Sequence, residues 1–572
     1  MVTHVADPII TATISTQTVV QPDMVALLDN GRGHVSPGRS LRTTIRWRMD
    51  LGLSRVQALL RRVGSPHTKF PVIHVAGTNG KGSTTAYLDA LLTHGAGVRS
   101  GRFNSPHLVE ARDSVRVSGG VPIDGPTWER AGQHIAQADA DASGRGSDAI
   151  HATPFELLTA QALLAFTMLP PDTRPHVLLI EVGVGGRLDA TNVFPDDNVL
   201  ASVICPIARD HEGLLGHGLA AIAREKAGII KENGLCVVAD QRVGMLGSVA
   251  TENVPNADAA LVESLQQACS EKHARVAPAL IPWDAVRRGT PPTGSDVARL
   301  RAPVSFSFPL HATGTAVGAA PVDAHVDVSL EATLARLSGC TTALQTLWSI
   351  AHDTTHASDA GAPARQALRD AIRTRLFGGD AASATRVQRA LAHYHWEGRS
   401  EWRTLGQHTP LLLDGAHNEA SAVALRQYLD QCLDTYASMA ARPVTVSLTW
   451  IMAFSKGKDA TAMLRALLGT RRGTGAWECT SQCVGLVPFS TPVEGMPWVQ
   501  PAPPPELAQA LHASGLPVDR VHTCDALRDA LAWAVASKSE SSASLDIVVV
   551  CGSLYLVSDY YRGSEHGMHQ GQ

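Results

Sequence analysis

The sequence predicts an α/β protein: a doubly wound, mostly parallel sheet of phosphate-loop type, followed by a smaller Rossmann-like α/β unit. Three observations carry this. Short β-branched strands alternate with helical patterns from residue 70 onward, a glycine-rich turn joins the first strand to its helix, and the alternation restarts near residue 411 after a long helical zone.

In chain order, residues 1–39 are rich in Thr, Val and Gly without sustained periodicity and read as a loose arm. A helix is predicted over 53–63, a strand over 70–76, a helix over 83–94, a helix over 155–166 and a buried strand over 176–181. An apolar strand over 201–207 and a helix over 220–231 follow, then a helical zone over 329–392. Strands near 411–414, 446–452 and 547–551 define the second unit, so the boundary is placed near 390, giving domains 40–389 and 390–572. Two stretches, 139–147 and 287–324, interrupt the pattern with Asp, Ser, Gly, Pro and Thr and read as surface insertions.

At 572 residues the chain is too long for one ordinary core, and 44% hydrophobic with 18% charged residues describes a globular protein. A formal net charge of −4 leaves no basic footprint for nucleic acid, so small molecules are the expected partners. The nine cysteines are scattered without a CxxC pair, which argues against zinc and fits a reducing compartment. Cys479 and Cys483, the closest pair, are expected on an exposed loop and strand as two unpaired thiols. The first 31 residues hold no Lys or Arg, so neither a secretory signal nor a mitochondrial presequence is evident. No apolar run approaches about 20 residues, so no membrane span is expected and a cytoplasmic location is, with a mitochondrial one as the alternative.

The strongest local signal is VIHVAGTNGKGST at 72–84, where a strand meets a glycine turn carrying Lys81 and then a helix opening with hydroxyl residues. Gly77, Gly80 and Gly82 permit unusual dihedrals, and the helix N-terminus offers N–H groups and a positive dipole end to an anion. The common phosphate loop has Ser or Thr directly after Lys; here Gly82 intervenes. In VLLIEVGVGGRLDATNV at 177–193, Glu181 ends an almost wholly apolar strand. A carboxylate there suits a nucleotide-bound Mg²⁺, the alternative being a solvated strand-end Glu. After the strand at 201–207 come Asp210, His211 and Glu212, and the helix AAIAREKAGIIK carries Lys226; singly, these are ordinary cap and surface residues. In the second unit, LLLDGAHNEASA places Asp414, His417 and Asn418 at a strand's carboxyl edge, with a plain helix cap as the alternative for Asp414, and WEGRSE sets Arg399 in a turn near the junction.

Together these segments resemble the folylpolyglutamate synthase/dihydrofolate synthase family of the Mur ligase superfamily, most closely the dihydrofolate synthases. GTNGKGST, SPHL, EVGVGGRLDATN, DH with LGHG, EKAGIIK, DGAHN and GSLYLV occur in the family's order from about residue 51 to 562. The resemblance implies an ATP-binding Mur ligase-like domain, a smaller Rossmann-like domain and an active site between them. ATP would be cradled by Gly77, Thr78, Asn79, Gly80, Lys81, Gly82 and Ser83, and met from the second domain by Arg399, Asp414 and His417. Ser105, Glu181, His211 and a carbamylated Lys226 match magnesium ligands, and Lys81, Lys226 and His211 would be catalytic. Asn104, Thr153, Phe155, Leu188, Asp189 and Ala190 match the positions that hold the pterin substrate. Carbamylation requires a neutral amine, and burial on an apolar helix would depress the lysine pKa far enough to supply one.

The family's HQ-containing segment is replaced here by LSGCTTALQTLWSIA, so no adenine contact is assigned. Asn79 and the block RLDATN favour addition of the first glutamate to 7,8-dihydropteroate over extension of a folate chain, with folylpolyglutamate synthase or a bifunctional enzyme as the alternative. A catalytically silent nucleotide binder would be expected to lose Lys81, Glu181 or Lys226, and SPHL and RLDATN disfavour a cell-wall Mur ligase. The implied partners are ATP, L-glutamate and dihydropteroate or folate, acting on a monomer.

Overall fold

The computed structural model describes residues 52–140, 149–245, 258–281, 287–288, 300–301, 303–314, 322–331, 334–353, 362–406, 408–438, 440, 443–469, 477–491, 493, 499–536 and 544–565. The arm expected over 1–39 and most of the insertion expected over 139–147 lie outside these residues. From Leu51 on, the chain is one compact unit.

The first sheet has eight strands: β1 Val72–Ala76, β2 Ser100–Phe103, β3 Val115–Val117, β4 Val121–Pro122, β5 Val177–Glu181, β6 Val199–Ile204, β7 Leu235–Ala239 and β8 Arg275–Ala279. Their order is β4-β3-β2-β5-β1-β6-β7-β8, parallel from β2 to β8 with an antiparallel edge at β3 and β4. β1, β5 and β6 are buried at every position, which is why they read as unbroken apolar runs and not as alternating ones. The chain leaves β1 toward β2 on one side and returns to β6 on the other, so the order reverses at β1. The loops after β1, β2, β5 and β6 therefore meet at the crevice where such sheets bind ligands.

The helix Lys81–Ala90 continues β1 and ends in a wider π turn, Leu91–Ala96, where one unbroken helix to residue 94 was expected. Against it lies the helix Leu334–His352, whose Thr341, Thr342, Gln345 and Thr346 are buried. Each threonine hydroxyl bonds back to the carbonyl four residues earlier, and Gln345 pairs with the backbone of His311, so this polar segment is satisfied within the core.

The stretch 287–324 is not a featureless insertion. β9 Arg287–Arg288, β10 Pro303–His311 and β11 Val322–Glu331 form a three-stranded antiparallel sheet. Phe308 and Leu310, two apart on β10, enter the core beneath the first sheet's helices. Because β11 runs to Glu331, the helical zone starts at Leu334 and not at 329.

A six-stranded sheet forms the C-terminal part: β12 Glu401–Leu405, β13 Thr409–Leu413, β14 Val444–Met452, β15 Trp477–Leu486, β16 Arg520–Thr523 and β17 Ser544–Cys551, in the order β12-β13-β17-β14-β15-β16. Only β12 runs antiparallel. Cys479 and Cys483 lie buried on β15, a correction to the exposed position expected for them, and all nine cysteines are free. Their strand pairs with β14 along its length and with β16 from Cys483 on, and both thiols lie on its buried positions while Glu478 and Thr480, on either side of Cys479, are exposed.

Candidate active site

The glycine turn after β1 is pressed against the loop after β6. Thr78 and Asn79 both donate backbone N–H groups to the Pro206 carbonyl, and the Thr78 hydroxyl exchanges hydrogen bonds with Ala208. Gly77 has φ +148°, and a Cβ there would stand 2.5 Å from the Cys205 Cβ, so only glycine fits. At Gly82, a Cβ would meet the Trp396 ring at 2.8 Å. Trp396 in turn lies under the Arg102 guanidinium, 4.6 Å from the ring centroid.

Lys81 opens the helix with Nζ 3.1 Å from the Thr78 carbonyl oxygen and 3.8 Å from Glu181 Oε1. Glu181 is 6% exposed at the end of β5, and its Oε2 accepts a 2.8 Å hydrogen bond from Asn104 Nδ2. Burial raises its pKa, while Lys81, Asn104, Arg399 and the Ser105 backbone N–H pull it back down. Beside it, Ser105 Oγ and Asn104 Oδ1 are buried without a hydrogen-bond partner among the described residues. One carboxylate with two uncommitted oxygens is the donor chemistry a hard cation such as Mg²⁺ takes, with the remaining positions left to nucleotide and water. Among the described residues no three His, Cys, Asp or Glu side chains cluster as metal ligands.

Lys226 is 4% exposed and donates to the Gly77 carbonyl at 2.8 Å. Burial first, then the charge of Lys81, lowers its pKa to about 7, against the opposing pull of Asp210 and Asp189. His211 is exposed at φ +55°, its pKa lowered first by partial desolvation, against the opposing pull of the adjacent Asp210. Its Nε2 is 3.9 Å from Asp210 Oδ2, and Lys81 and Lys226 both act on it electrostatically.

From the second sheet, Arg399 bears on Glu181, Asp414 and His417 electrostatically, and a Cβ on Gly415 would stand 2.8 Å from its Nη1. Asp414 works locally as a loop brace: Oδ2 accepts from the Ser400 N–H and hydroxyl, and Oδ1 from the Ala416 N–H. His417 Nδ1 bonds the Gly415 carbonyl, and burial together with Arg399 lowers its pKa to about 4, so it is neutral with Nε2 unprotonated. Asn418 reaches Asn79 across the crevice at 3.3 Å.

The remaining expected residues lie on the other flank. Thr153 caps the helix Pro154–Met168 in a capping box with Glu156. The Phe155 ring comes within 2.5 Å of where a Gly183 Cβ would sit, with Asp189 Oδ2 3.1 Å from the same point. Asp189 and Ala190 are buried, Leu188 half-buried. Sequence reasoning missed Lys458, whose Nζ pairs with Asp210; it follows the carboxyl end of β14, so the same strand-end rule that found Asp414 would have found it.

The relatives that share this chain's sequence make it an ATP-dependent ligase. Residues 400–563 match the family described as dihydrofolate synthetase, C-terminal domain. A probable dihydrofolate synthetase of Schizosaccharomyces pombe is 28% identical over 521 residues, 90% of this chain and 98% of the relative. A dihydrofolate synthase/folylpolyglutamate synthase of Mycobacterium tuberculosis is 41% identical over 195 residues, 32% of this chain and 38% of the relative. The solved Mycobacterium tuberculosis folylpolyglutamate synthase complexed with ADP shares the fold, with a TM-score of 0.62 at 24% identity, covering 90% of this chain and 95% of that one. Over about nine-tenths of its length the chain is similar to dihydrofolate synthetases, and its C-terminal part matches their family model.

Proposed function

We propose that the protein joins L-glutamate to the carboxylate of 7,8-dihydropteroate at the expense of ATP, giving dihydrofolate, ADP and phosphate. The observation that carries this reading is the meeting of Lys81, buried Glu181 and the uncommitted Ser105 hydroxyl at the end of the glycine turn, with Arg399 acting on Glu181 from the second part of the chain. Two yeast relatives that match 90% of this chain, named dihydrofolate synthetase and probable dihydrofolate synthetase, support the first addition over chain extension. An E. coli FolC structure in complex with DHPP and ADP, with a TM-score of 0.58 at 23% identity, has the same fold.

A carboxylate is a poor acyl donor, so its oxygen first attacks the γ-phosphorus of ATP and ADP leaves. The amine of glutamate then attacks the acyl carbon, a tetrahedral intermediate forms, and phosphate departs. Lys81 offsets charge on the transferring phosphoryl group, while Asn79, Gly80 and the first helical turn orient the phosphates. Mg²⁺, held by Glu181 and Ser105 with His211 nearby, would neutralise phosphate charge. Lys226, half deprotonated near pH 7, offers a neutral amine to CO₂; the N–C bond forms, a proton is released, and the ammonium is replaced by an anionic carbamate. Arg399, Asp414 and His417 form the second domain's face toward ATP and shield the acyl phosphate from water. Phe155, Leu188, Asp189 and Ala190, with Asn104 and the Thr153 cap, shape the pterin side.

The division near residue 390 belongs to this reading, since the described residues between the helix Ala381–Ala392 and β12 form the junction that carries Trp396 and Arg399. So do action as a monomer and a cytoplasmic location, the latter supported by nine free thiols. Purified protein with ATP, Mg²⁺, glutamate and either dihydropteroate or tetrahydrofolate tests it, with dihydropteroate expected as the better acceptor. The bifunctional mycobacterial relative supports a second reading, in which both acceptors are used comparably.

A further inference from the structure

His74 occupies the middle of β1, fully buried, in a strand whose other four residues are apolar. Its Nε2 lies 2.9 Å from Thr191 Oγ1. The Thr191 hydroxyl donates to Asp189 Oδ1 at 2.5 Å, and the Thr191 N–H donates to the same oxygen at 3.0 Å. A hydroxyl has a single proton. Because that proton goes to the carboxylate, the Thr191 oxygen accepts from His74, which fixes His74 as the neutral Nε2–H tautomer. Its Nδ1 is then a bare lone pair, buried with no hydrogen-bond partner among the described residues, while the ring meets Phe194 edge-on at a centroid separation of 5.7 Å. Burial, aided by Lys231, pushes the imidazole pKa down to about 3, consistent with that neutral form.

The run does not stop at Asp189, whose Oδ2 accepts the Val184 N–H at 2.9 Å. Imidazole, hydroxyl, carboxylate and amide thus link the centre of β1 to both ends of the loop 183–191. Such a polar run in a strand interior leaves one ring nitrogen unpaired, a cost that an apolar residue at position 74 would avoid. What it accomplishes is placement: the tethered loop carries Leu188, Asp189 and Ala190 and packs on Phe155 at Gly183. Both Asp189 oxygens are engaged by donors of their own loop, so this carboxylate holds the loop's shape.

We propose that His74 and Thr191 are positioning residues for the pterin-bearing acid, acting through Asp189 to set the loop against which the acid docks. The proposal rests on the ligase reading above. The rival role is the phosphate loop, which begins three residues after His74 on the same strand, and the two are separated by which substrate loses affinity.

Steady-state kinetics with dihydropteroate, ATP and glutamate distinguish them. Thr191→Val keeps the side-chain shape and removes the hydroxyl; it is expected to raise KM for dihydropteroate roughly tenfold while kcat and the KM values for ATP and glutamate stay within about twofold. Thr191→Ser restores the hydroxyl and should recover most of the loss. His74→Phe should give the same selective rise, and the double variant should be no worse than Thr191→Val alone, as expected for links in one chain. Equal rises for all three substrates, a rise confined to ATP, additive effects, or a lowered melting temperature with wild-type KM values would each overturn the proposal. If the wild-type protein turns over no dihydropteroate at all, the ligase reading itself fails, an outcome distinct from any of these.

Discussion

Lys458 donates a 2.5 Å hydrogen bond to Oδ1 of Asp210, joining the loop after β14 of the second sheet to the loop after β6 of the first. On the other oxygen of the same carboxylate, Asn418 Nδ2 stands at 3.4 Å and His417 Nε2 at 3.8 Å. Asp210 is therefore the point where three residues of the second sheet converge on the first.

This contact predicts an acid-sensitive brace. Burial alone would raise the Asp210 pKa, but His211, Lys458 and His417 outweigh it and hold the group at about 2. The folded value lies below the ordinary one, so the stabilisation is complete above about pH 4 and lost as pH falls through about 2. Lys458→Ala should reduce stability at pH 7 by about 1–2 kcal/mol, with the gap from wild type closing toward pH 2. Urea unfolding at the two pH values measures it, and a gap independent of pH would remove Asp210 as the cause.

Lys81→Ala should leave the melting temperature near wild type, because the side chain is partly exposed and its loss opens no core cavity. Ligation should fall by at least about a hundredfold, since the group opposes charge on the transferring phosphoryl. Turnover close to wild type in this variant would take Lys81 out of the phosphate site.

At Gly186 a Cβ would lie 2.8 Å from the carbonyl oxygens of both Glu225 and Lys226, backbone atoms with no rotamer to yield. Gly186→Ala should therefore force the loop after β5 away from the helix Leu219–Ala227. About 1–3 kcal/mol of stability should be lost on urea unfolding, together with activity, because the displaced helix carries Lys226. Unchanged stability would mean that the loop gives way without moving the helix.

What was legible in the sequence follows from what each signal depends on. β1, β5 and β17 were found because they are buried on both faces and read as apolar runs, and the glycine turn because Gly77 and Gly80 answer to local backbone geometry. β7 and β8 went unread although they are as long as β1 and β5, because no glycine-rich turn follows them to mark a strand end. The hairpin of β10 and β11 was hidden because Pro303 and Pro309 sit inside the first strand, a pattern that argues against a strand when taken alone. Lys81, Glu181 and Arg399 were found singly, but the links of His74 to Thr191 and of Lys458 to Asp210 span 117 and 248 residues and exist only once the sheets are assembled.

The last prediction concerns Lys226, expected to act as a carbamate beside the glycine turn. Its folded pKa of about 7 lies below the ordinary 10.5, with burial as the first cause, so holding the amine in place destabilises the fold fully below about pH 7 and progressively less up to pH 10.5. In bicarbonate-free buffer, Lys226→Met should therefore melt higher than wild type at pH 6, with the advantage fading as pH rises. The same variant should lose most activity, because a methionine cannot form the anion. Lys226→Arg should fail as well, since guanidinium keeps a positive charge beside Lys81. A short carboxylic acid should restore part of the activity to Lys226→Ala by occupying the vacated space, and a ¹³C-bicarbonate NMR signal present in the wild type should vanish in all three variants. Full activity in Lys226→Arg, or an active wild type whose carbamate signal never forms, would show that the lysine works as an amine and that its hydrogen bond to Gly77 is its whole role.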